Sequence, residues 1–258
     1  MDSRASSNRD FFICMPWKIF GLAVLSPPLV GLAFSVIYSI LYNFEASNST
    51  HCRVWNFLPS ISAATGTFEP QKSVWWWCIV AHTPARYFVC VCYMTFYNTI
   101  STIRWRQDNS IYIIACVILK MVEITALFLL TLVSSASNFG LHKSSFLTFI
   151  IASLLYMAGT ILLQASLVKD TKSRMLRKSL GYKKIFFTAN MLTIFTAGYT
   201  YWRHNTYCEP GVYSLFGLSE YLVVIFNIAF HATGILDFSS FQPLPQSQAT
   251  EKVDHMLV

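Results

Sequence analysis

Charged residues are scarce in this chain. Only 12% of its 258 residues are Asp, Glu, Lys or Arg, against 54% that are hydrophobic. A soluble domain carries about 25% charged residues, and no water-exposed fold hides this much apolar surface. Glycine (10) and proline (9) are also few, which excludes collagen-like and low-complexity disordered chains. The seven cysteines are scattered and show no zinc-type spacing, so no metal site is expected. Cys90-Val91-Cys92 falls inside an apolar run, where a thiol behaves as a small hydrophobe. Acidic residues (12) are outnumbered by Lys and Arg (19), giving a formal charge of +7. The basic residues sit in the gaps between apolar runs rather than in one patch, which argues against nucleic acid as a partner.

What the chain does have is long hydrophobic runs. They extend from Ile19 to Tyr42, Val74 to Tyr97, Ile111 to Val133, Ser145 to Val168, Ile185 to Trp202 and Val212 to Leu236. About 20 helical residues cross a bilayer core of about 30 Å, and a β-barrel would show short alternating strands instead. The expected fold is an all-α polytopic membrane protein, a six-helix bundle over residues 19–238. A short N-terminal segment, 1–18, precedes it and a polar, disordered tail, 239–258, follows. Thirteen of the 19 Lys and Arg lie on one side, four on the other, and two, Arg86 and Lys120, within runs. The excess places both termini in the cytosol, with the first run kept as an uncleaved anchor. The basic linker from Lys169 to Lys184 then faces the cytosol, and Pro27, Pro28 and Pro84 should kink the first two helices.

Three segments face the lumen in this orientation. Asn48-Ser49-Thr50 in the first of them is a glycosylation sequon. Cys52 and Cys208 lie in the first and third luminal loops and form a candidate disulfide, with two unpaired thiols as the alternative.

Ionisable groups within spans need a partner or a task. His82 and Arg86 share a face of the second helix, and Lys120 and Glu123 a face of the third. Glu220, Asn227 and His231 form one stripe on the sixth. Counting about 1.5 Å per residue places His82, Arg86, Glu123 and Glu220 in one layer below the luminal edge. His231 falls in a separate layer nearer the cytosol, with Asn190 and Gln164. Arg203, His204, Asn205 and Glu209 line the luminal mouth. The simplest arrangement is a cavity open to the lumen and narrowing onto His82, Arg86, Glu123 and Glu220. Mutual neutralisation of Lys120 and Glu123, and a structural hydrogen bond from His82, are the competing readings.

The blocks His82-Thr83-Pro84-Ala85-Arg86, Val122-Glu123, Arg203-His204-Asn205, Tyr207-Cys208-Glu209, Gly211-Val212-Tyr213, Glu220-Tyr221 and Ala229-Phe230-His231 occur in one order along the chain. Together with the luminal Thr50-His51-Cys52 they resemble the post-GPI-attachment-to-proteins factor 2 family, within the wider DRAM-like and fibroblast-growth-factor-receptor-activating-protein-like membrane proteins. The resemblance covers about Lys18 to Phe238 and implies fatty-acid remodelling of GPI anchors in the Golgi membrane, with the endoplasmic reticulum as a second location. The implied step reacylates lyso-GPI with a saturated chain, the acyl donor being unidentified and no resident cofactor expected. The implied partners are the GPI lipid of anchored proteins, membrane lipids and a remodelling enzyme. Lys120 lies outside the resemblance, and no catalytic role is expected of it. No Gly-x-Ser-x-Gly elbow or His-x4-Asp pattern is present. Acyl transfer would then need His82 as base, Arg86 as cation, and Glu123 or Glu220 to orient the imidazole. Arg203, His204, Asn205, Glu209, Asn227 and His231 would contact the substrate. A noncatalytic scaffold or lipid-presenting subunit, and a lipid transporter or signalling adaptor, are the alternatives.

Overall fold

The computed structural model describes residues 16–104, 110–169 and 173–239. The N-terminal residues 1–15 and the tail from 240 onward, including most of the segment expected to be disordered, lie outside the described residues. The elements are α1 (Trp17–Tyr42), α2 (Phe44–Asn48), α3 (Ile61–Gly66), α4 (Gln71–Arg104), α5 (Ser110–Leu132), α6 (Phe139–Lys169), α7 (Arg174–Tyr207), α8 (Val212–Ala232) and α9 (Gly234–Ser239). No strand occurs among the described residues, so the protein is an all-α membrane bundle. Each of the first five apolar runs lies within a long helix, apart from Val133 just past α5, and the last spans α8 and α9.

Among the described residues, four helical stretches are long and apolar enough to cross a bilayer by length and composition: Trp17–Tyr42, Ser110–Leu132, Phe139–Ser166 and Val212–Ser239. The other two, α4 and α7, are 34 residues each, about 51 Å at 1.5 Å per residue. Their low hydropathy has a structural cause. Gln71, His82 and Arg86 of α4, and Lys183, Asn190 and His204 of α7, are buried against neighbouring helices. Phe88, Val91, Ile185, Leu192 and Phe195 of the same helices point outward. Outward apolar side chains and inward polar ones are the arrangement a bilayer imposes. Much of the expected cytosolic linker is the first turns of α7.

Packing follows chain order. α1 lies on α4, α4 on α5, α5 on α6, α6 on α7 and α7 on α8, while α8 also touches α1. Small residues permit close approach, as expected where helices associate in lipid. A Cβ on Gly31 would lie 3.0 Å from Cys78 Cβ, and one on Gly217 only 2.6 Å from Pro59 O. The prolines do not interrupt α1, which is helical throughout with Pro27 and Pro28 inside it. Pro28 lacks the N–H that the Val24 carbonyl would accept. His82 Nδ1 donates to that carbonyl at 2.7 Å, tying α4 to α1.

One end of the bundle carries the segment 43–70, the α5–α6 turn and the α7–α8 turn. Cys52 and Cys208 are disulfide-bonded there, so the candidate pair does form. Residues 57–61 lie on α8: Ser214 Oγ accepts from Phe57 N at 2.7 Å and Leu58 N at 3.1 Å. Tyr213 Oη donates to Ser60 Oγ at 3.1 Å. Cys52→Ser removes a link between distant segments and is expected to cost about 2–4 kcal/mol. The midpoint of thermal unfolding should fall, and reductant should bring the wild type down to the variant. Ser214→Ala leaves two backbone N–H groups without their acceptor, an expected cost of about 1–3 kcal/mol. Proteolysis within residues 53–60 should accelerate while the helical circular dichroism signal is unchanged.

Candidate active site in the membrane

Two of the four expected catalytic residues meet, and the expected substrate contacts Asn227 and His231 join them. Glu123 of α5 is completely buried and accepts from Arg86 Nη2 of α4 at 2.8 Å. Its second oxygen accepts from Lys120 Nζ, one turn earlier on α5, at 2.9 Å. Arg86 is 6% exposed and Lys120 3%. From α8, His231 Nε2 lies 3.1 Å from Glu123 Oε1 and 3.1 Å from Arg86 Nη2, and Lys120 Nζ is 3.2 Å from His231 Nδ1. Lys120 Nζ is also 2.9 Å from Nε2: with the proton on Nε2 the ring donates to Glu123 and Nδ1 accepts from Lys120, and with the proton on Nδ1 it is Nε2 that accepts, from Lys120 or Arg86. Asn227, one turn up α8, donates to Glu123 at 3.4 Å and to Ser153 Oγ of α6 at 2.7 Å. The Lys120 ammonium also sits 4.7 Å from the centre of the Tyr156 ring.

Counted at formal charge, Arg86 and Lys120 face one carboxylate and a neutral imidazole. The cluster therefore carries a surplus of one positive charge in a region where charge is costly. Arg86, Lys120 and His231 line a narrow cleft of about 50 Å³ whose walls include Trp17, Phe20, Val24, Ile235 and Phe238. The cleft lies between the first two turns of α1 and α9, on the end of the bundle opposite the disulfide.

Several expectations are corrected by this geometry. His231 belongs with Arg86 and Glu123 and not to a separate layer, because the last span continues through α9 to Ser239 and places this imidazole well inside it. Lys120, set aside in sequence, is a full member of the cluster. Glu220 is not a member: its carboxylate accepts from Ile61 N at 2.9 Å beneath the segment 57–61. His82 is turned to α1 by its bond to Val24. The expected cavity opening on the disulfide side and narrowing onto these four residues is replaced by a cleft on the other side, since residues 57–61 cover α8 where that mouth would be.

The residues expected at the mouth are spread out. Arg203 holds Glu209 through paired bonds at 2.5 and 2.9 Å, and these hydrogen bonds keep the Glu209 carboxyl below its usual range. His204 is buried beside His51 and Tyr213, with ring centres 5.6 and 4.9 Å away. Asn205 is exposed. The sequon residue Asn48 is buried, and its Nδ2, the atom a glycan would occupy, donates to Phe44 O at 2.9 Å.

A second buried polar cluster is not apparent in the sequence. Asp237 of α9 pairs with Lys183 of α7, which also reaches Gln164 Oε1 of α6. Gln164 Nε2 and Tyr93 Oη donate to Asp237 at 2.9 and 2.8 Å. By sequence Lys183 reads as a solvated linker residue and Asp237 as lying past the last helix. The available signal was their polarity next to apolar runs, which also fits an ordinary helix end.

The family model for the Frag1/DRAM/Sfk1/Cwh43P N-terminal domain matches residues 16–241. Post-GPI attachment to proteins factor 2 of Drosophila pseudoobscura pseudoobscura is 41% identical over 235 residues, 91% of each chain. The protein of the same name from Drosophila melanogaster is 40% identical over the same length and shares. A Xenopus tropicalis protein named acyltransferase PGAP2 is 38% identical over 224 residues, 86% of this chain and 87% of its own. No solved structure matches. With its helices, its polar cluster and nearly its whole length inside these matches, the chain belongs to the Frag1/DRAM/Sfk1/Cwh43P membrane-protein family, alongside the post-GPI attachment to proteins factor 2 proteins.

Proposed function

We propose that this protein is an acyltransferase of the Golgi membrane that reacylates lyso-GPI with a saturated chain on GPI-anchored proteins. The observation that carries this reading is the His231–Glu123 pair, set beside two cations, with His231 and both cations lining an apolar-walled cleft. It has the parts acyl transfer needs: a base, a group that orients the base, and fixed positive charge where an oxyanion develops. The relatives' names, which refer to GPI attachment and to acyl transfer, support the same chemistry.

In the proposed step the lyso-lipid hydroxyl gives its proton to His231 Nδ1 as its oxygen bonds to the carbonyl carbon of an acyl ester or thioester. Lys120 swings from Nδ1 to the new oxyanion, beside Arg86. Collapse of that intermediate breaks the bond to the donor's leaving oxygen or sulfur, which takes the proton from Nδ1. Glu123 keeps its charge throughout and holds the ring.

The test is purified protein in nanodiscs with lyso-GPI and a labelled stearoyl donor. Label should move to the lyso lipid without any other protein. If transfer appears only when a second membrane protein is added, the chain is a presenting subunit and not the enzyme.

A further inference from the structure

The cleft has a direction, and its direction bears on the acyl donor. Its floor is formed by the two buried cations and His231, and its sides by apolar and aromatic residues of α1 and α9. At the disulfide end, by contrast, residues 57–61 are bonded down onto α8 through Ser214 and Glu220. The floor also has unused capacity. Arg86 donates to Glu123 through Nη2, which also lies 3.1 Å from His231 Nε2, and no hydrogen bond from its Nε or Nη1 is made among the described residues. A guanidinium carries five donors. The surplus positive charge asks for an oxygen-rich, electron-dense group, and the walls ask for hydrocarbon.

Resting on the acyltransferase reading, we infer that this cleft seats the acyl donor. A single saturated chain lies between α1 and α9, its carbonyl oxygen against Arg86 and Lys120, having entered from the end of the bundle opposite the Cys52–Cys208 bridge. The positive-inside excess makes that end the cytosolic one, so the donor is drawn from the cytosolic side. The shared chemistry is a long-chain acyl carbonyl, which a soluble acyl thioester or a phospholipid of that leaflet could each supply.

A stearate probe with a photoactivatable diazirine near its methyl end, added to the full-length protein in nanodiscs, tests this. Crosslinks should map to Trp17–Leu25 and Gly234–Ser239. Excess stearate should remove them, whereas stearyl trimethylammonium should compete about tenfold less well, the ratio set by one lost charged hydrogen bond. Lys120→Met should lower labelling about tenfold, and Ile235→Trp, which fills the cleft from its wall, should abolish it; thermal unfolding of both variants verifies folding. Competition by a stearoyl thioester or by stearoyl phospholipid then separates the two sources. Labelling spread evenly over all lipid-facing helices, equal competition by the cationic amphiphile, or labelling that neither variant changes would overturn the inference. Failure of this site and failure of the enzyme reading are distinguishable. Transfer activity without cleft labelling refutes the donor site alone, and cleft labelling without transfer upholds the site while refuting the acyltransferase.

Discussion

Leucine in place of Glu123 is expected to cost about 3–5 kcal/mol, the loss seen when one partner of a buried ion network is removed. Against a total stability of about 5–15 kcal/mol, that leaves little protein folded. The reason is the stoichiometry of the cluster: one carboxylate neutralises Arg86 at 2.8 Å and Lys120 at 2.9 Å and also faces His231 and Asn227. Its removal leaves two cations facing each other with no anion among these contacts. Lys120→Met should behave quite differently. It deletes the surplus charge and leaves Arg86 and Glu123 as a neutral pair, so its cost should fall well below that of Glu123→Leu. Thermal unfolding of the three proteins in one detergent, read by size-exclusion fluorescence, makes the comparison. Equal destabilisation by the two substitutions would show that the cluster does not carry a net positive charge.

The helices were legible because hydropathy and membrane thickness leave few alternatives: six runs gave six long helical units in the described structure. The extra turns of α4 and α7 were not legible, since buried Gln71 and Lys183 look the same in sequence as solvated residues. The charged layer was half legible. Arg86 and Glu123 stood out because a membrane charge needs a partner, and counting residues from the ends of runs placed them at compatible depths. The same counting failed for His231 and Glu220. It took Leu236 as the end of the last span and Asp237 as lying past it. In the structure Lys183 and Gln164 bury that aspartate, and the span continues through α9 to Ser239. The depth of His231, counted from that end, therefore shifted, whereas Glu220, counted from Val212, is missing from the cluster because its carboxylate accepts from Ile61 N. His82 failed for a different reason, since its partner is a carbonyl freed by a proline on another helix, and pairing across helices is not written in the spacing along one of them.

His231→Gln is expected to lower acyl transfer by about 10²–10⁴, the range contributed by a positioned general base, while the bundle persists. Glutamine keeps a donor for Glu123 and an acceptor for Lys120 but cannot accept a proton at neutral pH. His82→Ala should give the opposite pattern. The Val24 carbonyl, already without its helical N–H because of Pro28, loses its remaining donor, at an expected cost of about 1–3 kcal/mol. Transfer per folded molecule should be unchanged, since His82 Nδ1 is spent on α1 and the ring does not touch Glu123. Both variants can be expressed in cells lacking the protein, with saturated GPI chains measured by mass spectrometry at matched membrane levels. Loss with His231→Gln and retention with His82→Ala would place the base on α8. The reverse result would return it to α4.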